Sequence, residues 1–338
     1  TMPRGNELPA LPAHLELLND CGVDALIIAD LGVFRMAEKY APRCERHVST
    51  QVSIANAACA SAWYDLGAKR VVLARELSLE EIRVIRQNTP PGLEIETFAH
   101  GAMCVSYSGR CLLSNYMTGR DSNRGACAQP CRYQYALMEE KRPGEYFPVF
   151  EDEKGTYIMN SRDMCMIDHI AELMDAGVDC LKIEGRAKSA YYAAIVTGAY
   201  RHAIDAVVAG QPLDPVWRDE VEHVSHRHYS TGFFFGLPGQ YYQNSRYIRQ
   251  WQVCAIVTEC DAEGNATLSL RNKFAAGEPV ELVGPDFKPI SFPAPMMQNM
   301  DGNELAQPRN PQMLFRMRLP KQAPAFSILR HAVELSAE

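Results

Sequence analysis

Four apolar segments in the first hundred residues decide the fold of this chain. They are Asp24-Ala-Leu-Ile-Ile-Ala-Asp30, His47-Val-Ser-Thr-Gln-Val-Ser53, Arg70-Val-Val-Leu-Ala-Arg75 and Leu93-Glu-Ile-Glu-Thr-Phe-Ala99. Each segment starts 23 positions after the one before it, at 24, 47, 70 and 93. Helix-like stretches, such as 56–66 and 79–88, lie between them. Short buried strands that alternate with helices of this length predict parallel βα units.

The repeat resumes at residues 156–161 and 180–185, with a helix predicted between them and a long helix over 189–209. Nearly equal spacing favours a closed α/β barrel, the TIM-like (β/α) class, over a doubly wound open sheet. That class has eight strands, whereas six segments are recognisable here after an opening helix over 8–20. We therefore expect a TIM-like barrel without its first one or two βα units. A partial barrel completed by another element is the alternative.

The pattern of apolar and polar residues changes close to residue 246. The stretches 252–258, 266–271 and 279–283 alternate in polarity and are separated by turns, including a hairpin turn at Asp261-Ala-Glu-Gly-Asn265. We assign residues 1–245 to the barrel, with a cysteine-rich insertion at 101–150. Residues 246–338 are assigned to a small β-barrel domain.

Composition narrows the class of protein. The chain has 338 residues, a formal charge of −7 and 47% hydrophobic residues, enough for a sizeable core. No apolar run reaches the roughly 18 residues of a membrane span, so no membrane partner is expected. An odd count of eleven cysteines fits a secreted disulfide scaffold poorly and favours a reducing, cytoplasmic location. The negative charge argues against nonspecific coating of nucleic acids but leaves room for a local basic patch.

Four cysteines gather within 28 residues, at Cys104, Cys111, Cys127 and Cys131. Thiolates bind soft metals, and four of them complete either a tetrahedral zinc site or an iron–sulfur cluster. Zinc ribbons use pairs of cysteines two residues apart, and the gaps of six and three residues here differ from that pattern. The spacing favours an iron–sulfur cluster, while a redox dithiol set or a chance grouping stays open. Cys165, close to a predicted strand end, is an alternative ligand.

Polar residues mark the predicted carboxyl ends of the strands, where the active face of a βα barrel lies. They are Asp30, Gln51, Arg75, Glu76, His100, Asn160, Ser161, Arg162, Glu184 and Arg186. Arginine pairs bidentately with carboxylates, so this ring favours an anionic small molecule that carries carboxylates. Glu184 and Arg186 stand out because residues 182–188 concentrate charge around one strand end. Ordinary loop polarity or ion pairing is the alternative, and for His100 it is structural hydrogen bonding.

Cations and aromatic rings are interleaved around the four cysteines. They are Arg110, Arg120, Arg124, Arg132, Lys141 and Arg142, with Tyr107, Tyr116, Tyr133 and Tyr135. Cations neutralise phosphates and flat rings stack on bases, which is what binding of a splayed single-stranded RNA loop requires. A solvated basic loop explains the same pattern equally well.

Several blocks resemble the collagenase-like, unclassified-type peptidase family. They are residues 96–114 around Cys104 and Cys111, residues 123–132 around Cys127 and Cys131, and residues 155–163 and 181–189. Together these blocks cover most of residues 20–240, and the cysteine-centred block is highly specific. Family members normally begin with further strand–helix units that carry a Pro-Ala-Gly motif, which this chain lacks.

The resemblance implies an oxygen-independent RNA hydroxylase in spite of the peptidase name. Expected features are 5-hydroxyuridine formation at the tRNA wobble position, prephenate as co-substrate and hydroxyl source, and a four-iron, four-sulfide (4Fe-4S) cluster. Family cysteines map onto Cys104, Cys111, Cys127 and Cys131. The partner is then the tRNA anticodon loop, with its uridine flipped out of the stack.

The strand-end residues receive roles under this hypothesis. Arg75, Lys182 and Arg186 are expected to bind the prephenate carboxylates, and His100 or Glu184 to move protons. Other substrate contacts are expected from Arg110 and Arg132.

Three alternatives remain. A peptidase is judged unlikely because the sequence has neither a His-Glu-x-x-His helix nor a Ser or Cys nucleophile with a recognisable base nearby. Hydroxylation of rRNA or of a ubiquinone precursor stays within the same family. The last alternative is a noncatalytic RNA-binding protein with a structural cluster.

Overall fold

The structure of the chain is a computed structural model that describes most of residues 3–333. The described residues are 3–104, 106, 109, 111–133, 136–138, 140, 143–144, 146–148, 162–238 and 247–333. For Arg132 and for residues 136–138 and 146–148 the backbone alone is described. Contacts divide the chain into two compact units, Thr1–Arg186 with Arg227–Arg246 and Ala187–His226 with Tyr247–Glu338.

The first unit is built from short strands and helices that largely follow the predicted repeat. Its strands are β1 Ala25–Ile28, β2 Glu45–Val48, β3 Arg70–Val72, β4 Glu94–Ala102, β5 Ala136–Met138, β6 Tyr146–Pro148, β7 Asp163–Cys165, β8 Cys180–Ile183 and β9 Tyr229–Ser230. Its helices are α1 Leu11–Asp20, α2 Leu31–Tyr40, α3 Ala57–Asp65, α4 Leu79–Gln87, α5 Leu113–Thr118 and α6 Ile170–Asp175. The strand predicted at 156–161 lies outside the described residues.

The main sheet of this unit is mixed. Strands β1, β2, β3 and β4 pair in that order and run parallel, and β8 joins β4 in the same direction. Strand β7 runs antiparallel to β4, with Cys165 opposite His100, and β9 pairs with β7. Among the described strands no pairing joins β1 to β8 or β9, so the closed TIM-like barrel stays a prediction. The chain forms an α/β fold with a mixed sheet.

Local capping signals set the helix starts. The Asp30 carboxylate accepts a hydrogen bond from the Val33 amide at 2.9 Å and caps α2. Ser78 and Glu81 form the predicted capping box of α4, because each side chain bonds the backbone amide of the other residue. Gly67 turns the chain after α3 with a φ of 94°, a left-handed conformation that favours glycine. These local signals place the helices that separate the parallel strands.

Strand β4 is the central strand of the sheet and is buried along nearly its whole length. Ile95 and Ala99 are fully buried, as expected for a central strand. Two ionisable side chains, Glu96 and His100, are also buried, with 4% and 1% of their surface exposed. Buried polar groups require partners. Glu96 pairs with Lys182 of β8, and the His100 ring contacts Tyr229 of β9.

The second unit combines two helices with a separate antiparallel sheet. Helix α7 spans Ala190–Val208 and α8 spans Pro215–Glu220. The sheet strands are β10 Trp251–Cys260, β11 Asn265–Leu270, β12 Pro279–Gly284, β13 Phe287–Pro293, β14 Met297–Gln298, β15 Glu304–Leu305, β16 Leu314–Arg318 and β17 Ile328–Ala332. Every described helix, α7 included, lacks an apolar stretch long enough to cross a membrane.

The order of the sheet is β13-β12-β17-β10-β11-β16-β14-β15. The predicted hairpin turn is confirmed, because the Asp261 amide donates to the Asn265 carbonyl between β10 and β11. Leu268, Leu282, Phe315 and Leu329 are fully buried in the core of this sheet. In the described residues the strand order ends at β13 and β15, so closure into a small barrel stays a prediction, as does the domain boundary at 245/246.

Arg330 on β17 is the centre of a buried ion-pair network in the second unit. Its side chain is fully buried and donates to both carboxylate oxygens of Glu220, at 2.8 and 2.5 Å, and to Glu281 at 2.8 Å. The guanidinium also lies 4.6 Å from the ring centroid of Trp251. Burial raises the pKa of Tyr191, another partner of Arg330, to about 12, so this hydroxyl stays neutral.

Replacing Arg330 with methionine is expected to lower the free energy of unfolding by about 3 kcal/mol, because the buried Glu220 carboxylate and the partly buried Glu281 carboxylate then lose their cation. Burial acts to raise the pKa of Glu220, but hydrogen bonds from His223 and Arg330 outweigh it and hold this pKa below the unfolded value of 4.5. The stabilisation is therefore present above about pH 4.5 and is lost as the pH falls through the folded pKa.

Urea unfolding at pH 7 and again in acid measures this effect. The matched control is Arg201→Met, which removes an exposed pair with Asp205 on α7 and should cost less than about 0.5 kcal/mol. Equal losses for the two variants would contradict a structural role for the buried pair.

Candidate active site

A cavity of about 530 Å³ opens at the carboxyl ends of the parallel strands. Its volume lies in the range of small-molecule sites, about 300 to 1,000 Å³. The cavity brings together eight of the eleven residues predicted to ligate a cluster, bind substrate or move protons. These are Arg75, Cys104, Cys111, Cys127, Cys131, Lys182, Glu184 and Arg186. Gln51, another predicted strand-end residue, also lines the cavity. The cysteine segment and the strand ends therefore line the same cavity.

The segment from 111 to 133 folds back on itself through side-chain hydrogen bonds to its backbone. The Cys111 carbonyl accepts from the Ser122 hydroxyl at 2.8 Å and from the Asn123 amide group at 3.1 Å. The fully buried Ser114 hydroxyl accepts from the Ala128 amide at 2.9 Å. These bonds fix the two halves of the segment together, which brings cysteines distant in sequence to one cavity.

The thiols influence one another. Desolvation by neighbouring atoms is the main cause that raises the pKa of Cys104, although part of the residue is exposed. Cys111 and Cys127 raise this pKa further, whereas Arg75 lowers it. The Cys127 sulfur accepts a hydrogen bond from the Gln129 amide at 3.3 Å. A bound metal centre would offset the repulsion between several thiolates.

The four thiols give the cavity an all-sulfur donor set. Thiolates are the ligands of iron–sulfur clusters, and four of them complete the set that a 4Fe-4S cluster takes. Four thiolates also complete a tetrahedral zinc site. The residues present therefore fit a cluster by their chemistry. In the part of the chain that the structure describes, no group of three or more Cys, His, Asp or Glu side chains is arranged to hold a single metal ion.

The end of β8 links the central strand to the cysteine segment. The Glu184 amide donates to the His100 carbonyl at 2.8 Å, which holds the strand end against β4. The Glu184 carboxylate accepts from the Arg186 amide at 3.0 Å. The Arg186 guanidinium donates to the Gly125 carbonyl at 3.1 Å. Glu184 and Arg186 are thus positioned by β4 on one side and by the cysteine segment on the other.

Gly101 allows β4 and β8 to approach at this point. Its φ is +113°, and a Cβ added there would lie 2.4 Å from the Glu184 carbonyl oxygen. Replacing Gly101 with alanine should displace Glu184. We expect the rate of any reaction at this cavity to fall more than tenfold, since misplacement of a reacting group by about 1 Å can lower a rate a hundredfold. Initial rates and urea unfolding measure the effect.

The control for Gly101→Ala is Gly22→Ala. Gly22 also has a positive φ, +73°, but an added Cβ would meet nothing within 4 Å. This control bears the backbone strain alone, about 1 kcal/mol. If both variants behave alike, close packing at Gly101 is not what positions Glu184.

Arg75 lies over the ring of Phe98, with its guanidinium carbon 3.8 Å from the ring centroid. One of its nitrogens donates to the Ala102 carbonyl at 3.0 Å. Stacking on an aromatic face orients the planar guanidinium. Arg75 is therefore a cation held in a defined orientation on the cavity wall.

Lys182 lines the cavity but already has a carboxylate partner. Its ammonium is 2.6 Å from the buried Glu96 carboxylate, which also contacts Arg70 at 3.2 Å. Burial acts to raise the pKa of Glu96, but the hydrogen bond and charge of Lys182 and the bond from Arg70 outweigh it and lower this pKa. Sequence reasoning missed Glu96. The signal for it was a carboxylate in the middle of a strongly apolar strand.

His100 and Cys165 are placed differently from the eight residues above. His100 is buried inside β4, and its Nε2 lies 3.4 Å from the Tyr229 hydroxyl. Cys165 lies opposite His100 on β7. Neither is among the described residues that line the cavity. A proton-transfer role for His100 stays a prediction, and the structure gives no support for Cys165 as a ligand.

The predicted RNA-binding segment is described in part. Tyr116 and Tyr133 are 90% and 53% exposed, and Arg120 is exposed beside them. Arg124 instead forms an ion pair with Glu7. Five predicted contacts and the Arg132 side chain lie outside the described part, as do two strand-end residues. They are Arg110, Tyr107, Tyr135, Lys141 and Arg142, with Asn160 and Ser161 at the strand end.

Two protein-family descriptions together match almost the whole chain. Residues 1–244 match the family described as "Peptidase family U32". Residues 249–330 match "Peptidase family U32 C-terminal domain".

Three curated relatives are informative. The "tRNA hydroxylation protein P" of Escherichia coli is 37% identical over 347 residues, covering 90% of this chain and 76% of the relative. The "tRNA hydroxylation protein P1" of Bacillus subtilis is 36% identical, covering 96% of this chain and 78% of the relative. The "23S rRNA 5-hydroxycytidine C2501 synthase" of Escherichia coli is 38% identical over 208 residues, covering 62% of this chain and 30% of the relative.

Proposed function

The chain belongs to peptidase family U32, and from that premise we propose that it is an enzyme that hydroxylates a base of RNA. The observation that carries the proposal is the cavity at the strand ends, where four cysteines meet Arg75, Glu184 and Arg186. The names of relatives that match this chain over most of its length support the same activity.

In its finer form the proposal is a tRNA hydroxylase that forms 5-hydroxyuridine at the wobble position. Prephenate is the proposed hydroxyl donor, which makes the reaction independent of oxygen. A TIM-like barrel remains the proposed architecture behind the cavity. The uridine is expected to flip into the cavity, because its C5 is shielded while the base is stacked.

Cys104, Cys111, Cys127 and Cys131 would hold a 4Fe-4S cluster in this proposal. When bound, the cluster supplies Lewis acidity or electron transfer next to the substrates. In net terms the base exchanges C5–H for C5–OH while the donor exchanges C–OH for C–H. The exchange is balanced and requires no further oxidant.

The side chains of the cavity are assigned substrate binding and proton transfer. Arg75 and Arg186 bind the carboxylates of prephenate through planar, bidentate contacts. Lys182 adds positive charge to the cavity, although Glu96 compensates part of it. Glu184, anchored through the Arg186 amide, is placed at the cavity to accept the proton that leaves C5.

Hydroxylation of rRNA is the second candidate, favoured by the relative named as an rRNA 5-hydroxycytidine synthase. Proteolysis finds less support than either hydroxylation. A nucleophilic or metal-dependent peptidase usually positions a histidine at its centre, and the described lining of the cavity includes none.

Complementation separates these candidates. The chain is expressed in an Escherichia coli strain that lacks both its tRNA hydroxylation protein P and its 23S rRNA 5-hydroxycytidine C2501 synthase, and nucleosides from purified tRNA and rRNA are analysed by mass spectrometry. Restored 5-hydroxyuridine in tRNA is the expected result, and 5-hydroxycytidine in rRNA would support the second candidate. Absence of both from cells that contain the folded, iron-loaded protein would refute the proposal.

Tyr116 is the residue in the described part of the cysteine segment best placed to stack on an RNA base. It lies on α5 and is 90% exposed. Exposure of an aromatic ring to water is unfavourable in free energy, and stacking on a base would remove the ring from water. Replacing it with alanine should weaken RNA binding about tenfold, since stacking contributes about 1–3 kcal/mol per base. Tyr116→Phe keeps the flat ring and should bind like wild type in fluorescence anisotropy. Equal weakening in both variants would argue against stacking.

A further inference from the structure

A second concavity, of about 740 Å³, lies on the antiparallel sheet of the second unit. It extends over strands β10, β11 and β16 and the adjoining β14. Two arginines, Arg316 and Arg318, line it together with the polar side chains of Asn265, Thr267 and Gln298. No role in the chemistry described above requires this surface.

The two arginines form a pair of cations on one face of β16. Because side chains alternate along a strand, Arg316 and Arg318 project from the same face, about 6.6 Å apart along the strand. Both are exposed, whereas Phe315 and Met317, which alternate with them along the strand, are buried. Within the described residues neither guanidinium has a hydrogen bond or ion pair. Most other described arginines of the chain are paired, so this pair is available to a ligand.

The register of the sheet surrounds these cations with neutral hydrogen-bonding groups. Thr267 and Gln298 both lie opposite Arg316, and Asn265 lies opposite Arg318. An alternating row of guanidinium, hydroxyl and amide groups matches the oxygens of successive phosphodiesters.

Two acidic residues also border the concavity and narrow the class of ligand. Asp261 is engaged in the hairpin turn, where its carboxylate accepts from the Asn265 amide at 2.7 Å and from its side chain at 2.8 Å. Glu259 is exposed on β10, opposite Thr267. A free carboxylate beside cations repels a purely anionic polymer, but it can accept a hydrogen bond from a ribose 2′-hydroxyl. The combination favours RNA over an acidic peptide.

We propose that the concavity on β10, β11 and β16 binds the phosphodiester backbone of the substrate RNA. This inference rests on the proposed function, because it assumes that RNA is the substrate. It assigns the second unit a task that the first unit does not perform, which is to hold the body of a folded RNA.

The test compares tRNA binding by wild type and by the double variant Arg316→Gln/Arg318→Gln over a range of salt concentrations. Loss of two phosphate contacts should raise Kd about tenfold and reduce the slope of log Kd against log salt by about 1.8, at about 0.9 per contact. Arg309→Gln, an exposed arginine of the same unit outside the concavity, is the matched control and should bind like wild type. Unfolding midpoints establish that each variant is folded.

Wild-type affinity and an unchanged salt slope in the double variant would overturn the inference. So would loss of binding to polyglutamate with unchanged binding to tRNA, because the pair would then serve an acidic polypeptide. Equilibrium binding is measured without turnover. The binding result can therefore be interpreted even if the protein shows no hydroxylation. Conversely, unchanged binding by the double variant would not contradict the proposed hydroxylase activity.

Discussion

Replacing Cys127 with alanine is expected to remove the cluster and to lower RNA hydroxylation by more than about a hundredfold. Residues that merely support metal ligands cost about 10- to 100-fold when changed, and a ligand itself should cost more. Cys127 lines the cavity, and its sulfur accepts the Gln129 amide. The measurements are iron and sulfide per chain after anaerobic purification, the absorption spectrum near 400 nm, and the yield of hydroxylated nucleoside.

Cys21→Ala is the matched control for this variant. Cys21 is an exposed, free cysteine of the same unit that lies just after α1, outside the cavity. It should keep the iron content and activity of wild type. A Cys127 variant with full iron content would show that this cysteine is not a ligand. Full activity without iron would show that the cluster is not required.

Replacing Glu184 with glutamine is expected to lower kcat by about 10²- to 10⁴-fold, the usual contribution of a general acid or base. Glutamine is nearly isosteric and its oxygen can still accept the Arg186 amide, so the strand end should keep its shape. The KM for prephenate should change little, because carboxylate binding is assigned to Arg75 and Arg186. Steady-state kinetics with purified tRNA separate the two parameters.

Glu80→Gln provides the control for Glu184, since Glu80 is an exposed carboxylate on α4. A Glu184 variant with a kcat within about twofold of wild type would exclude it from proton transfer and would return attention to His100. A rise in KM with unchanged kcat would instead make Glu184 a binding residue.

Features with local causes could be read from the sequence. The capping box of Ser78 and Glu81 depends on four consecutive residues, and the structure contains it. Apolar runs at regular spacing located β1, β3 and β8 to within a few residues. The clustering of thiols was visible because cysteine is rare and its spacing is short. The tendency of active sites in βα folds to lie at the carboxyl ends of the strands predicted Glu184 and Arg186, which line the same cavity.

Features that depend on distant residues could not be predicted. Glu96 is stable inside β4 because Lys182, 86 positions later, supplies its counter-charge. Arg330 meets Glu220 across 110 positions, and no local pattern marks either residue as buried. Strand β7 was hidden because Asp163–Cys165 is short and its antiparallel partner on β4 is remote in sequence. Tertiary packing, which overrides local preference, decided each case.

An isotope experiment tests the central claim most directly. Purified, iron-loaded protein is incubated without oxygen with unmodified tRNA and with prephenate that carries oxygen-18 in its ring hydroxyl. Mass spectrometry of the digested tRNA is predicted to show 5-hydroxyuridine that contains oxygen-18. Unmodified uridine, or 5-hydroxyuridine whose oxygen comes from water, would contradict the account.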